Sequence, residues 1–158
     1  MFLGVIYMKI NIYYSREIPI IKGVDYMFNK QTIKNVIVEL DLQNEYYKLF
    51  MGGSLCVRDI RETHDIDLGV EPETFERLRE RLQGTVYESK LGNDKFDLEH
   101  ECGNIEIFKC ENFYEDIEKV EGIWCQKIES IIEMKEMLNR EKDRKDLELI
   151  YSKIKNKK

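Results

Sequence analysis

Two carboxylates one residue apart, Asp65 and Asp67, follow a glycine pair and a serine, Gly52-Gly53-Ser54, at a short interval. Side chains alternate along a strand, so Asp65 and Asp67 leave one face about 7 Å apart at Cα, with Ile66 and Leu68 on the other. Two carboxylates aimed this way can hold Mg²⁺. Gly52 and Gly53 let backbone N–H groups approach an anion, and a helix starting near Ser54 points its positive end at the same group. The combination is a phosphate cradle facing a divalent-metal site, as transfer of a nucleotidyl group from a nucleoside triphosphate requires.

The elements that must position these groups are legible from about residue 30. Ile33, Val36, Ile37 and Leu40 recur at helical spacing and predict an amphipathic helix over 32–42. A strand over 46–51 delivers Gly52, a short helix spans 54–59, and a strand over 64–70 carries the acids. Pro72 and Thr74 open a further helix that turns Phe75, Leu78 and Leu82 inward and ends near Gly84. Short strand-like runs follow at 85–88, 95–99 and 105–108, with a hairpin turn expected at Gly103-Asn104. Flanked by Ile105 and Ile107, Glu106 faces away from both. Ile123-Trp124-Cys125 forms a last short strand, and two helices close the chain. The first has an apolar face of Ile128, Ile131, Ile132, Met134 and Leu138, with the single cation Lys135 beside it. The fold class expected is α/β (α+β), a mixed sheet flanked by helices with a C-terminal helical pair.

Gly52-Gly53-Ser54 followed by Arg61-x-Thr63-x-Asp65-x-Asp67 resembles the signature of the DNA polymerase beta-like nucleotidyltransferase superfamily, especially its small members. A second block, Lys135-(x)4-Arg140-x-Lys142-Asp143-(x)2-Asp146-Leu147, is similar to the C-terminal helices of AbiEii-type nucleotidyltransferases. The resemblance runs over roughly residues 30 to 152, in the family's order. It implies that Asp65 and Asp67 hold Mg²⁺ against the triphosphate, and that a third carboxylate, matched by Glu106, completes a second metal site and takes the acceptor's proton. Asp97 and Glu99 on the preceding strand compete for that place, the family more often having an aspartate there. Backbone at Gly52 and Gly53 and the Ser54 hydroxyl would hold the outer phosphates, and Lys135 would pair with the triphosphate; judged alone, Lys135 reads as a snorkelling surface lysine. Arg61 and Thr63 would order the turn and the acid-bearing strand, and Arg140, Asp143 and Asp146 would form an ion-paired corner between the last helices.

The expected activity is therefore Mg²⁺-dependent transfer from a nucleoside triphosphate to a hydroxyl on RNA, a protein or a small molecule, in the setting of a toxin–antitoxin or defence system. The alternative is a catalytically silent domain of the same fold that binds a nucleotide or a partner.

At 158 residues the chain fits one domain, and its 42% hydrophobic and 35% charged residues describe a globular protein with a heavily solvated surface. A net charge of −6 argues against broad attraction to nucleic acid. Three segments are expected: an N-terminal extension over 1–29 with β-type runs at 10–14 and 18–21, the domain over 30–152, and a basic tail over 153–158. The apolar opening residues 1–8 are too few to span a bilayer and lack a basic start, so no targeting or membrane segment is expected and a cytoplasmic location is. Cys56, Cys102, Cys110 and Cys125 lack the paired spacing of a zinc site and read as reduced and packed. His64 is expected to be structural.

Overall fold

A computed structural model describes residues 25–84, 87–88, 92–112 and 115–157. The runs at 10–14 and 18–21, most of the expected extension, and Thr85 and Val86 lie outside them.

Helix α1 (Lys30–Glu39) starts from a capping box in which the Asn29 side chain accepts from the Thr32 N–H and Thr32 Oγ1 accepts from the Asn29 N–H. Strand β1 (Tyr47–Phe50) runs without a loop into α2 (Met51–Val57), so the glycine pair forms the first turn of that helix, which begins three residues before the expected Ser54. Strand β2 (Asp65–Val70) carries the acids, and α3 (Pro72–Leu82) takes Pro72 in its first turn and ends at Gln83 in the left-handed conformation. Then come β3 (Tyr87–Glu88), β4 (Asp94–His100), β5 (Gly103–Lys109), β6 (Ile117–Val120), β7 (Ile123–Gln126), α4 (Ile128–Leu138) and α5 (Glu141–Asn156). Strand β6 had no counterpart among the expected elements. The last helix extends over 153–156, which the sequence read as tail.

The seven strands form one mixed sheet in the order β3-β4-β5-β2-β1-β7-β6. Neighbours pair antiparallel except β2 with β5 and β1 with β7, which are parallel. Strand periodicity divides the sheet. Leu49, Ile66, Leu68, Val70, Phe96, Leu98, Ile105 and Ile107 join Ile33, Val36 and Ile37 of α1 and Phe75 and Leu78 of α3 in the main core. Each side chain of this kind, fully buried, contributes about 1.5–3 kcal/mol. Phe28, fully buried, belongs to the same core and pairs with Thr63 as an isolated bridge, so residues before position 30 help to close it. A smaller cluster of Leu55, Ile131 and Ile150 seats the C-terminal helices on α2.

The β4–β5 turn sits at Glu101-Cys102, two residues before the expected position, and Gly103 is already in strand. Gly103 must be glycine: its φ is +142°, and a Cβ there would lie 1.7 Å from the His64 carbonyl oxygen. That close approach brings the start of β5 against the start of β2, with Asn104 N–H donating to the same carbonyl at 2.8 Å. Among the described residues no helix is long and apolar enough to cross a membrane.

Candidate active site

The acids sit on the sheet face opposite the main core. Parallel register sets Asp65 beside Asn104 and Asp67 beside Glu106, while the antiparallel hairpin sets Asp97 beside Glu106 and Glu99 beside Asn104. Residues directly opposite in a ladder share a face. Asp67, Glu106 and Asp97 therefore form a row across β2, β5 and β4, with Phe50 of β1 at its other end. Of the three candidates for the third acid, Glu106 is the direct neighbour of Asp67, Asp97 is one strand further out, and Glu99 belongs to the adjacent row.

Asp65, Asp97 and Glu99 are exposed, and Asp67 and Glu106 are half-buried. Burial first, then the charges of Glu106 and Asp65, raises the Asp67 carboxyl to about 6, against the opposing pull of Lys95. Lys95 Nζ lies 3.0 Å from Glu106 Oε2, and Asn104 Nδ2 donates to Asp97 Oδ1 at 3.3 Å. Among the described residues no three carboxylate, histidine or cysteine side chains converge as a ready-made ligand set. The donor chemistry nevertheless suits a hard divalent cation: a row of carboxylate oxygens whose burial and mutual repulsion, which raise the Asp67 carboxyl, such a cation offsets. Lys95 competes with such a cation for Glu106.

The glycine turn packs against Arg61 and Thr63, the two residues expected to order it, and is fixed further by Gln126. Met51 has a left-handed φ of 42°, and its N–H donates to Gln126 Oε1 at 3.2 Å, fixing the corner between β1 and α2. Gly52 faces the loop leading to β2: a Cβ there would meet Thr63 Oγ1 at 3.2 Å and the Arg61 guanidinium at 3.3 Å. Thr63 Oγ1 in turn donates to the Asp65 carbonyl at 3.1 Å, linking the turn to the first acid. Gly53 faces inward, its Cβ position 3.3 Å from Leu49 Cδ2. Ser54 is fully buried; its hydroxyl donates to the Leu49 carbonyl at 2.7 Å and accepts from the Gln126 N–H at 3.2 Å. Unlike the expected phosphate contact, that hydroxyl ties β1, α2 and β7 together.

Lys135 differs from both readings of the sequence. It is 4% exposed, neither on the surface nor open to a ligand, with Nζ 2.8 Å from Asp146 and 3.5 Å from Asp143. Asp146 also receives Arg61 through Nε at 2.7 Å and Nη2 at 3.1 Å. Arg140 grips Asp143 through Nε at 2.6 Å and its own N–H at 3.1 Å. The guanidinium of Arg140 holds the Asp143 carboxyl far below the usual range; burial opposes ionisation of Asp146, but Arg61 and Lys135 outweigh it and keep that carboxyl lowered as well. Arg61, Lys135 and Arg140 thus alternate with two buried carboxylates, joining the loop before β2 to α4 and α5. The corner expected of Arg140, Asp143 and Asp146 is present and has Lys135 at its centre.

His64 Nδ1 donates to the Cys102 carbonyl at 3.0 Å, and Nε2 lies 3.3 Å from Asp25. Cys56 is buried, donates to the Phe28 carbonyl, and burial pushes its thiol up to about 12, so it is no nucleophile at neutral pH. All four cysteines are free.

The sequence reading passed over Phe50, Lys95, Asn104 and Phe108, all on the acid-bearing face. Period-two counting from Glu106 places Phe108 and Asn104 on its face, so the signal was present for those two. Comparison with protein families, curated proteins and solved structures finds no match to this chain.

Proposed function

We propose that the protein is a Mg²⁺-dependent nucleotidyltransferase that moves a nucleotidyl group from a nucleoside triphosphate to a hydroxyl on RNA, a protein or a small molecule. The observation that carries this reading is the parallel register of β2 and β5, which sets Asp67 beside Glu106 with Asp65 on the same strand face. Asp65 and Asp67 would hold Mg²⁺, and Glu106 would join them in competition with Lys95. When bound, the ion neutralises triphosphate charge and stabilises the charge that develops on the transferred phosphoryl group.

The chain's own groups account for the rest. Glu106, or Asp97 beside it, accepts the proton of the acceptor hydroxyl. The hydroxyl oxygen bonds to the α-phosphorus, the bond from that phosphorus to the β-phosphate bridging oxygen breaks, and pyrophosphate leaves with its electron pair. Arg61, held by Asp146 beside Gly52, supplies positive charge next to the glycine turn. A setting in a toxin–antitoxin or defence system rests on the resemblance alone.

A second reading, a catalytically silent domain that binds a nucleotide or a partner, is favoured by the Lys95–Glu106 pair and by the internal engagement of Ser54 and Lys135. Incubation with each α-³²P-labelled triphosphate, Mg²⁺ and total RNA or protein separates the two. With a small-molecule cell extract added as a third acceptor pool, transfer of label supports the enzyme; triphosphate binding without transfer to any of the three supports the silent domain.

A further inference from the structure

The row next to the acids, Lys48, Gly69, Phe108 and Lys95, is shaped by its glycine, over which Phe108 meets Phe50 of the acid row. Gly69 follows Asp67 by two residues, so it lies on the same sheet face about 7 Å further along β2. Its register partners are Lys48 on β1 and Phe108 on β5. Having no side chain, Gly69 lets two rings lie down on the strand: a Cβ there would fall 2.8 Å from Phe50 Cε2 and 3.2 Å from Phe108 Cζ. The two rings meet with centroids 5.0 Å apart, tilted by 56°.

Aromatic cover over a strand glycine is a stabilising device in its own right. Two further observations separate this pair from ordinary packing. Both rings stay half-buried on the acid-bearing face, while the aliphatic side chains of the same strands are sealed in the core on the opposite face. Cations also stand beside the aromatic surface: the buried Lys48, paired with Asp116 at 3.8 Å and held by the Glu115 carbonyl at 3.1 Å, places Nζ 4.8 Å from the Phe50 ring centre, and Lys95, paired with Glu106, is the register partner of Phe108. An aromatic surface one step along the strands from a row of acids matches a ligand whose phosphates sit at the acids and whose ring extends along the sheet.

We propose that Phe50 and Phe108 form the stacking platform for the base of the nucleoside triphosphate, with Gly69 as the residue whose missing side chain lets both rings close over the strand. This rests on the reading that the acid row binds the triphosphate. Stacking is tolerant of base identity, because every base presents a π-face. The platform therefore makes the protein prefer a nucleotide over a bare polyphosphate, while discriminating weakly among the four bases.

The test is calorimetric titration of the full chain with the four nucleoside triphosphates and with tripolyphosphate, all in Mg²⁺, for the native sequence, Phe108→Ala, Phe108→Tyr and Gly69→Ala. Thermal melts report the fold of each variant. The native chain is expected to bind each nucleotide about 10-fold or more tighter than tripolyphosphate. Phe108→Ala abolishes that preference without changing tripolyphosphate affinity, Phe108→Tyr retains it, and Gly69→Ala lowers it by displacing the rings. If Phe108→Ala fails to fold, the native preference and the Tyr and Gly69 variants decide the matter. Equal binding of nucleotide and tripolyphosphate by the native chain, or an unchanged preference in folded Phe108→Ala, overturns the platform while leaving the phosphate site in place. Binding of neither ligand overturns the platform and the triphosphate reading together.

Discussion

Asp67 and Glu106 are direct register partners in the parallel pairing of β2 and β5, and burial of Asp67, together with the neighbouring charge of Glu106, raises the Asp67 carboxyl. A carboxyl whose pKa rises on folding, here from about 4 to about 6, binds more protons in the folded than in the unfolded state between those values. The stability it confers is complete below about pH 4 and is lost as pH rises to about 6.

Asp67→Asn keeps the shape and removes the charge. Without divalent metal, the variant is expected to exceed the native chain in stability at pH 7 by about 2 kcal/mol, or about 4–8 °C in Tm, with the gain vanishing toward pH 4. Melting curves from pH 4 to pH 8 in EDTA check this; a variant less stable than the native chain at pH 7 contradicts the cost of holding a charged Asp67 half-buried beside Glu106.

The same cost gives a metal-linked prediction. A cation that binds only the folded state stabilises it by mass action. Millimolar Mg²⁺ is expected to raise the native Tm by a few degrees at pH 7 and to leave Asp67→Asn unmoved, as read by differential scanning calorimetry. Equal shifts in the two proteins would place the ion elsewhere.

Lys135 is expected to behave as a structural residue. Its removal leaves two buried carboxylates short of a partner, so Lys135→Ala should cost about 3 kcal/mol, whereas Lys145→Ala, removing an exposed ion pair on the same helical pair, should cost under about 0.5 kcal/mol. Urea unfolding measures both. A stable Lys135→Ala protein with weakened triphosphate binding would restore the ligand role that the sequence resemblance assigned to this lysine.

Gly103→Ala tests how the acid face is assembled. The new methyl group meets the His64 carbonyl in a backbone conformation that L side chains rarely adopt, so a loss of about 3 kcal/mol or more is expected. Hydrogen exchange should show the damage at Asn104 and Asp65, where β5 joins β2. Unchanged protection there would mean that the strands do not depend on this close approach.

Much of this architecture was legible because it follows from periodicity. Asp65 and Asp67 alternate with Ile66 and Leu68, and the strand is where alternation places it, with the apolar pair in the core. Pro72 marked the start of α3. Contacts between distant segments were not legible. Spacing alone does not reveal that Gly53 faces Leu49 whereas Gly52 faces Arg61, or that the Ser54 hydroxyl is used to join β1 to β7. Helix α4 shows the same limit: Met134 and Leu138, expected inward, are exposed, whereas the charged Lys135 is buried because Asp143 and Asp146 of the next helix meet it. The β4–β5 turn was misplaced because Gly103 signals a close backbone approach as strongly as it signals a turn.

The most direct test of nucleotidyl transfer is the initial rate of label transfer from an α-³²P-labelled triphosphate, for the native chain, Asp67→Asn and Glu106→Gln, with Mg²⁺ and with EDTA. The native chain should transfer label only with the metal, and both variants, folded by their melting curves, should be slower by a factor of at least about 100. A folded Asp67→Asn protein that transfers at the native rate, or native transfer that persists in EDTA, would contradict catalysis at the Asp65, Asp67 and Glu106 face.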